Sequence, residues 1–465
     1  MERELPEKFI KSLTEAVGAE HAASLVRSLT CDAPSLAVRV NIAKGAHLPD
    51  SAVTVPWEPR GFYIDERPVF AADPAWHQGR YYVQEASSMA TGRLAAILSQ
   101  QYLKDNLTIN YLDACAAPGG KTIGAVDALG ARGFVVANEA DRHRAAVLAE
   151  NLAKRGASNT AVLCGPAQRL GALSDTFDII AADAPCSGEG MMRKEPEAIA
   201  QWSTTLVASC AALQRDIVTS LWPALRPGGV FIYSTCTFNR HEDDDVVRHM
   251  LETLDAELID IDAALFPGAV KCDYGLRFLP GIVRGEGLFM AALRKSEAES
   301  AVRPSKKGSA FPSPAPGMAD FASRCISEPE NFIVSGNRLI PKRHAETAAK
   351  IGTTKGLMRL GTPLGEVKGR DIVPSHELAM STALRPDAFP TLELPYSSAM
   401  SYLRGEAIAD IPDGLPKGIV TVTWQGRPLG FAKNIGRRVN NLYPDAMRLR
   451  IQPRALPPQA PSIIK

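Results

Sequence analysis

The sequence lacks the features that mark several large classes of protein. Its eight cysteines include no Cys-x-x-Cys pair, which argues against a zinc ribbon or a disulfide framework. No segment approaches the roughly 18 consecutive apolar residues that a membrane-spanning helix needs. The first residues, MERELPEK, are charged where a signal peptide would be apolar. We therefore expect a cytoplasmic protein that binds neither a metal nor a membrane, and we expect it to be a monomer.

Charge and composition are also unremarkable over the whole chain. The 465 residues have a net charge of only +1, so the protein as a whole is not a general binder of polyanions. With 45% hydrophobic and 22% charged residues, the chain has the composition of a globular protein and the length of about three domains. There is no internal repeat.

From Tyr81 onward, apolar strand-like runs alternate with amphipathic helical patterns. Strands are predicted at 108–114, 133–137, 177–183, 229–235 and 287–293, with helices from Lys121 and over 141–155. Strands that alternate with helices of this length are typical of a parallel sheet covered by helices on both faces. The pattern predicts an α/β, doubly wound core.

Shifts in composition divide the chain into five segments. We predict a small N-terminal domain at 1–80, the α/β core at 81–295, a flexible linker at 296–318, an α+β extension at 319–388 and a small β-barrel domain at 389–465. The linker prediction rests on its content of Ser, Pro, Lys and Gly, which cannot bury enough apolar area to fold.

One segment, CAAPGGKT at 115–122, follows a strand and opens a helix. Small residues let the backbone approach a ligand, and the free N–H groups of a helix start can bind an anion. The segment ends like a phosphate-binding P-loop, but that motif needs glycine where this chain has Cys115. Pro118 also removes an N–H group from such a loop. The next strand ends at Glu139, where an acid can accept hydrogen bonds from ribose hydroxyls. The sequence thus indicates a nucleoside-bearing cofactor rather than a nucleoside triphosphate.

Two cysteines stand in matching positions after apolar runs, in DAPCSG at 183–188 and STCT at 234–237. The carboxyl ends of parallel strands border the crevice in which ligands bind, so both thiols are placed for covalent catalysis. A free cysteine is otherwise most often a small buried hydrophobic residue. Residue chemistry alone does not tell which of Cys186 and Cys236 would be the nucleophile.

Taken in this order, the motifs resemble those of the NOL1/NOP2/sun family of RNA cytosine-5 methyltransferases, over about residues 35–295. The upstream segments AVRVN at 37–41 and YVQEASSM at 82–89 look like the segments that precede the core in that family. The distal segments GTPLGE at 361–366, PSHELA at 374–379, LGFAK at 429–433 and NLYP at 441–444 look like the carboxyl extension of its RsmF-like subgroup.

The resemblance implies a Rossmann-like class I methyltransferase core, S-adenosyl-L-methionine as cofactor and a PUA-like RNA-binding barrel at the end of the chain. It implies that Cys236 adds to carbon 6 of cytosine and that Cys186 helps to release the product. Asp183 would hydrogen-bond N3 or N4 of the base, and Lys121 would stabilise the cofactor carboxylate or an anionic intermediate. The residues expected to bind the cofactor are Cys115, Ala116, Ala117, Pro118, Gly119, Gly120, Lys121, Glu139, Asp183 and Arg144.

The last part of the chain is basic. Between 417 and 454 there are eight Lys or Arg residues and one acid, interleaved with Trp424, Phe431 and Tyr443. Cations that neutralise phosphates and aromatic rings that stack on bases are what an RNA surface needs. We expect RNA contacts from Arg39, Lys433, Arg437 and Arg438, with ribosomal RNA or a small ribosomal subunit as the partner.

Three questions stay open at this point. The target could be transfer RNA instead of small-subunit (16S) ribosomal RNA, because the catalysis would be identical. The protein could also be a noncatalytic ribosome-assembly factor that uses the same fold to bind RNA. In addition, the segment VLCGP at 162–166 lacks the acid that relatives commonly place near the adenine of the cofactor, so what takes its place near Gly165 is unknown from the sequence.

Overall fold

The computed structural model of the protein describes residues 4–297, 311–369, 371–408, 411–461 and 463–465. Its N-terminal part comprises α1 Glu7–Cys31, β1 Ala37–Val40, β2 Val53–Val55, β3 Glu58–Tyr63, α2 Pro74–His77 and β4 Tyr81–Val83. The four strands form one antiparallel sheet in the order β2-β3-β1-β4. The N-terminal sheet therefore continues past the predicted boundary at residue 80, because the apolar run at 81–83 pairs with β1 rather than with the core.

The core consists of one large sheet and its covering helices. Its elements are α3 Met89–Tyr102, β5 Ile109–Asp113, α4 Gly120–Leu129, β6 Gly133–Glu139, α5 Arg142–Arg155, β7 Thr160–Cys164, β8 Phe177–Asp183, α6 Pro196–Gln201, α7 Thr204–Leu221, β9 Leu225–Thr235, α8 Asp244–Thr253, β10 Ala256–Leu258, β11 Val270–Cys272, β12 Gly275–Phe278 and β13 Leu288–Lys295. The strands β9-β8-β5-β6-β7 lie side by side in parallel. β13 continues the sheet antiparallel to β9.

Helices cover both faces of this sheet. Leu94 of α3 and Ala125 of α4 pack with Ile109 on one face, while Val218 of α7 and Val246 of α8 pack with Leu112 on the other. The doubly wound prediction is confirmed. The chain moves outward from β5 in one direction through β6 and β7 and in the other through β8 and β9, so the crevice lies outside the carboxyl ends of β5 and β8.

The rest of the chain forms the extension and the C-terminal domain. Their elements are α9 Met318–Cys325, β14 Phe332–Ser335, β15 Arg338–Pro341, α10 Ala345–Gly352, β16 Leu357–Leu360, β17 Thr362–Pro363, β18 Gly365–Lys368, β19 Asp371–Pro374, α11 His376–Met380, β20 Thr391–Glu393, α12 Tyr396–Leu403, β21 Gly418–Trp424, β22 Arg427–Asn434 and β23 Val439–Asn441. β16 pairs antiparallel with β7, and so the extension supplies an edge strand to the core sheet.

Most of the predicted linker at 296–318 falls on residues 298–310, which lie outside the described residues. Its last part is packed. Phe311 lies against the core cluster that includes Ile340, and Met318 is fully buried at the start of α9. The predicted linker is therefore too long at its carboxyl end, because these two apolar side chains have partners that composition does not reveal.

The C-terminal domain packs against the N-terminal sheet. Val38 and Tyr81 share one apolar cluster with Leu392 and Val420. The Gln78 amide reinforces this contact by donating hydrogen bonds to the carbonyl oxygens of Trp424 (2.8 Å) and Arg427 (2.9 Å). Within the domain, the strands follow the order β20-β21-β22-β23. No helix in the described part of the chain is long and apolar enough to cross a membrane.

Candidate active site

The loop between β5 and α4 forms one part of the crevice. Gly119 has a φ of +113°, a conformation that favours glycine, and no side chain caps the helix that follows it. The first N–H groups of α4 are therefore free to bind an anionic group. A Cβ atom on Gly120 would lie 3.3 Å from the ring of Tyr82, so a side chain here would be in tight contact with that ring.

Short-range hydrogen bonds hold this loop in place. The Thr122 hydroxyl donates to the Asp113 carboxylate at 2.6 Å, and Ala116 N–H donates to Asn138 O at 2.8 Å. Burial raises the pKa of Asp113 to about 6, although the bond from Thr122 opposes the rise. The Asn138 amide donates to the carbonyl oxygens of Ala114 and Gly165, both at 3.0 Å. The sequence analysis did not predict a role for Asn138. Its position next to Glu139, at the end of a strand, is the feature that could have indicated one.

Glu139 and Arg144 lie together beside the loop. The Glu139 carboxylate is almost fully buried and accepts a hydrogen bond from Asp141 N–H at 3.0 Å. The Arg144 guanidinium lies 3.4 Å from Glu139 and donates to Ala117 O at 2.9 Å. Arg144 thus makes an exposed ion pair and braces the loop at the same time.

The two catalytic candidates from β8 and β9 meet at the same edge of the sheet. Cys186 Sγ and Cys236 Sγ are 3.1 Å apart, and both residues are partly exposed. Gly190 N–H donates to Cys236 O at 2.7 Å, which joins the two loops. The hydrogen bond with Cys236 and, next, burial raise the pKa of the Cys186 thiol well above its ordinary value. Cys186 therefore holds its proton in this arrangement.

Lys121 and Asp183 connect the loop after β5 with the cysteine pair. Lys121 Nζ lies 2.7 Å from the Asp183 carboxylate, which also accepts a hydrogen bond from Ser234 Oγ at 3.0 Å. Burial alone would lower the pKa of Lys121, but Asp183, Cys236 and Glu85 together raise it above its ordinary value. The ammonium is therefore charged and lies within electrostatic range of Cys236.

Cys115 differs from these two cysteines in its surroundings. Burial, with the nearby Asp113 and Asp183 carboxylates, raises the pKa of its thiol well above the ordinary value. A thiol that keeps its proton is a poor nucleophile. Cys115 therefore contributes its small size and its backbone to the loop.

A buried polar network supports the cysteine loops. Glu242 accepts hydrogen bonds from Ser187 N–H, Gln214 Nε2 and Asn239 Nδ2, all at 2.9 Å, and also from the Ser187 hydroxyl. Glu189 accepts from Phe238 N–H at 2.7 Å and from Trp202 Nε1 and Asn239 Nδ2, both at 3.0 Å. Burial raises the pKa of Glu189 to about 7.

Sequence reasoning missed this network. The acids at 242–245 look like a helix start in which carboxylates are favoured by the helix dipole. Glu242 and Asp243 are instead 0% exposed, and only Asp244 and Asp245 lie in the first turn of α8. No local pattern separates a buried acid of this kind from an exposed one.

The pre-core segment contributes Glu85, another residue to which the sequence assigned no role. Its carboxylate accepts hydrogen bonds from Ser87 N–H (2.8 Å), Ser88 N–H (2.7 Å) and Glu286 N–H (2.9 Å). Glu85 therefore ties the segment before α3 to the loop before β13, next to Lys121.

The predicted RNA contact from Arg39 is wrong. Arg39 is 3% exposed, its Nε donates to Asp127 at 2.9 Å and a second nitrogen lies 2.9 Å from Glu58. A guanidinium that is buried and paired with two carboxylates is not accessible to an RNA phosphate. It holds the N-terminal sheet against α4 instead.

The other predicted RNA-binding cations lie on the C-terminal domain. Arg437 and Arg438 are exposed in the turn between β22 and β23, and Lys433 makes an exposed ion pair of 3.5 Å with Asp371. The expectation that aromatic residues of this domain stack on bases is wrong. Trp424, Phe431 and Tyr443 are 8%, 1% and 3% exposed and form part of the core.

Three family models match the chain in order along its length. The N-terminal domain of 16S rRNA methyltransferase RsmF matches residues 5–86, 16S rRNA methyltransferase RsmB/F matches residues 101–294, and the methyltransferase RsmF PUA domain matches residues 389–449. Among curated relatives, the ribosomal RNA small subunit methyltransferase F of Enterobacter sp. (strain 638) is 33% identical over 94% of this chain and 95% of its own length. The protein of that name from Shewanella loihica is 34% identical over 85% and 84%.

Two solved structures share the fold. The methyltransferase homolog protein from Pyrococcus horikoshii has a TM-score of 0.52 and 24% identity, covering 62% of this chain and 95% of its own. NSun6 from Pyrococcus horikoshii with SFG has a TM-score of 0.51 and 20% identity, covering 64% and 100%.

The doubly wound sheet and these likenesses define a Rossmann-like methyltransferase. The matches to the RsmF N-terminal domain and to the RsmF PUA domain, at the two ends of the chain, narrow this class further. The chain belongs to the family of the ribosomal RNA small subunit methyltransferases F.

Proposed function

We propose that this enzyme transfers a methyl group from S-adenosyl-L-methionine to carbon 5 of a cytosine in RNA, with small-subunit (16S) ribosomal RNA as the substrate. The observation that carries the proposal is the pair of thiols, 3.1 Å apart, beside the Lys121–Asp183 ion pair. The ribosomal target rests on the names of the relatives. A ribosomal RNA substrate also implies that the enzyme acts in the cytoplasm.

The residues at the crevice fit the cofactor. The free N–H groups at the uncapped start of α4 can donate hydrogen bonds to the carboxylate of the cofactor. Glu139, at the end of β6, can accept hydrogen bonds from its ribose hydroxyls. We assign cofactor contacts to residues 115–121, Glu139 and Asp183, with Arg144 bracing the loop. S-adenosylmethionine supplies an electrophilic methyl group on a sulfonium. A likeness to NSun6 in complex with SFG, an analogue of this cofactor, also supports the assignment.

Cys236 is the proposed nucleophile, because carbon 5 of cytosine is a poor nucleophile until the ring is activated. The Cys236 thiolate forms an S–C6 bond, and the electron pair of the C5–C6 double bond moves to carbon 5. Asp183 hydrogen-bonds the base at N3 or N4, and the Lys121 ammonium stabilises negative charge beside it. With the cofactor bound, carbon 5 of the adduct would take its methyl group, and the electron pair of the S–CH3 bond would stay on the cofactor sulfur.

Cys186 is the proposed residue for product release. The proton on carbon 5 must leave, and its electron pair restores the C5–C6 double bond as Cys236 departs as a thiolate. The hydrogen bond with Cys236 is the main cause of the raised pKa of Cys186. Once Cys236 is bonded to carbon 6, its contribution to the raised pKa is gone, while that of burial remains. Cys186 would release its own proton to solvent and then take the carbon 5 proton directly or through a water molecule.

The test separates the two cysteines. Cys236→Ala should abolish methyl transfer while retaining cofactor binding, and Cys186→Ala should trap enzyme on RNA as a covalent adduct on a denaturing gel. The double variant should form no adduct. Cys210→Ala, on α7, is the matched control and should behave like the wild type.

The substrate is tested by bisulfite sequencing of RNA from cells with and without the gene. Loss of one 5-methylcytosine in small-subunit ribosomal RNA is the expected result. Loss only in transfer RNA would reassign the substrate, and turnover by Cys236→Ala would refute the proposed nucleophile. Unchanged methylation together with retained RNA binding would favour a noncatalytic assembly factor.

A further inference from the structure

The order of the strands sets the direction in which the proposed cofactor lies. Cys236 follows β9 and Asp183 ends β8. The 115–121 loop follows β5, and Glu139 ends β6. In S-adenosylmethionine, the ribose lies between the sulfonium and the adenine. If the methyl group is near Asp183 and the ribose near Glu139, the adenine therefore lies outside the carboxyl end of β7.

The end of β7 leaves space for a ring. Gly165 N–H donates to Glu139 O at 3.0 Å, and Gly165 O accepts from the Asn138 amide at 3.0 Å. Among the described residues other than Gly165 and its two chain neighbours, no heavy atom lies within 4 Å of the position that a Cβ atom on Gly165 would occupy. At its carboxyl end, β7 itself offers backbone groups and the Cys164 side chain.

The extension borders this space from the other side. β16 runs antiparallel to β7, with Leu357 opposite Leu163, so the residues before Leu357 lie at the carboxyl edge of the sheet. Gly356 O accepts a hydrogen bond from Cys164 N–H at 2.8 Å. Gly356 has a φ of +92°, and a Cβ atom there would clash with the carbonyl oxygen of Cys164. The turn of residues 353–356 is therefore fixed closely against the end of β7.

Two further contacts hold this turn. Thr354 Oγ1 donates to Lys350 O at 3.1 Å, which fastens the turn to the end of α10. Met358 packs against the apolar cluster that contains Ala116 and Val162. The extension is thus connected both to β7 and to the loop proposed to bind the cofactor.

We propose that the 353–356 turn of the extension forms the outer wall of the adenine site of the cofactor. The inference rests on the proposed function, because it assumes that the cofactor is S-adenosylmethionine. The turn encloses the ring between Gly165 and Gly356. Cofactor affinity then depends on a segment almost 200 residues away from Gly165 in the chain.

The first test uses the full-length protein and calorimetry with S-adenosylhomocysteine. Gly356→Ala should displace the turn and raise the Kd by about tenfold, equivalent to about 1.4 kcal/mol. Gly336→Ala is the matched control, since Gly336 is also a positive-φ glycine of the extension but has open space around it. Its Kd should match that of the wild type. An unchanged Kd in a folded Gly356→Ala protein would overturn the inference.

A second measurement keeps the inference testable if Gly356→Ala does not fold. The wild-type protein is photolabelled with an S-adenosylmethionine analogue that has an azide on its adenine, and the tryptic peptides are sequenced. Label in the peptides that end at Lys355 and Arg359 is expected, and label confined to residues 139–170 would overturn the inference. Wild-type protein that does not bind S-adenosylhomocysteine would instead refute the proposed cofactor and, with it, both proposals.

Discussion

The two halves of the carboxyl edge are built in different ways. In the half formed by β5 and β6, the loops are held by partners close in sequence, such as Asp113 with Thr122 and Glu139 with Arg144. In the half formed by β8 and β9, two buried acids join one cysteine loop to the other. Phe238 N–H donates to Glu189 and Ser187 N–H donates to Glu242, and the residues in each of these pairs are about 50 apart in the chain.

This difference predicts how each half responds to substitution. We call the half formed by β5 and β6 the cofactor half. Backbone groups and small residues form most of it, so changing one side chain there should alter cofactor binding more than folding. The half formed by β8 and β9, which we call the cysteine half, depends on the buried carboxylates of Glu189 and Glu242. Neither has an ion-pair partner among the described residues, and the loss of either carboxylate would leave several hydrogen-bond donors unsatisfied. Lys121 lies where the two halves meet and should be the most sensitive position for chemistry.

Lys121→Met should have the largest effect on activity. Removal of the ammonium beside Asp183 and Cys236 should lower kcat by about a hundredfold to a thousandfold, as for other charge-stabilising groups. The stability of the fold should change little, because the pair is partly exposed and the Lys stem is preserved in shape. Single-turnover methylation and chemical unfolding measure the two effects. Lys104→Met, at an exposed lysine after α3, is the control, and a loss of stability without a loss of kcat would contradict the prediction.

Glu242→Ala should have the largest effect on folding. Three buried nitrogen donors and the Ser187 hydroxyl would lose their acceptor, which should lower the free energy of unfolding by about 4 kcal/mol. Denaturant titration measures the change. Glu252→Ala removes the same side chain from the exposed face of α8 and should cost less than about 1 kcal/mol. Equal losses in the two variants would show that the buried network is not what supports the cysteine loops.

The same division explains how much the sequence could predict. The strand at 177–183 and the helix over residues 141–155 were predicted to within one residue of Phe177–Asp183 and Arg142–Arg155, because each has a local hydrophobic pattern. The 115–122 loop and the two cysteines each follow a predicted strand. Because the carboxyl ends of parallel strands lie at the same edge of a sheet, the sequence could also predict that these segments meet there. These predictions needed no knowledge of distant partners.

The failures all concern distant partners. Arg39 looked like a free cation because nothing local shows that Asp127 and Glu58 lie against it. The pairing of β16 with β7 joins segments about 200 residues apart, and no pattern in either strand announces it. The aromatic rings of the C-terminal domain alternate with cations along the chain, but the burial of Phe431 depends on which face of β22 meets the core.

The pH dependence of stability should also differ between the halves. Burial raises the pKa of Glu189 from 4.5 to about 7 and that of Asp113 from 3.8 to about 6. For an acid with a raised folded-state pKa, the stability is full below the unfolded pKa and is lost as the pH rises through the folded pKa. The loss therefore extends from about 4.5 to 7 for the cysteine half and from about 3.8 to 6 for the cofactor half.

Glu189→Gln tests this difference. Relative to the wild type, the variant should gain about 3 kcal/mol of unfolding free energy between pH 4.5 and pH 8, because the amide has no proton to lose. Asp113→Asn should show its relative gain at lower pH, complete by about pH 6.5. Denaturant unfolding across this range measures both. A constant difference between Glu189→Gln and the wild type would show that Glu189 does not titrate in the folded protein.

Arg144→Ala should have the smallest effect and tests whether the cofactor half is held mainly by its backbone. The guanidinium is 59% exposed, so its ion pair with Glu139 should contribute less than about 1 kcal/mol to stability. The bond to Ala117 O steadies the loop, and its loss should raise the Kd for S-adenosylhomocysteine by about threefold. Arg142→Ala, at an exposed arginine in the same turn of α5, should leave the Kd unchanged. A loss of affinity of a hundredfold for Arg144→Ala would show that a single side chain, rather than the backbone, sets the shape of this loop.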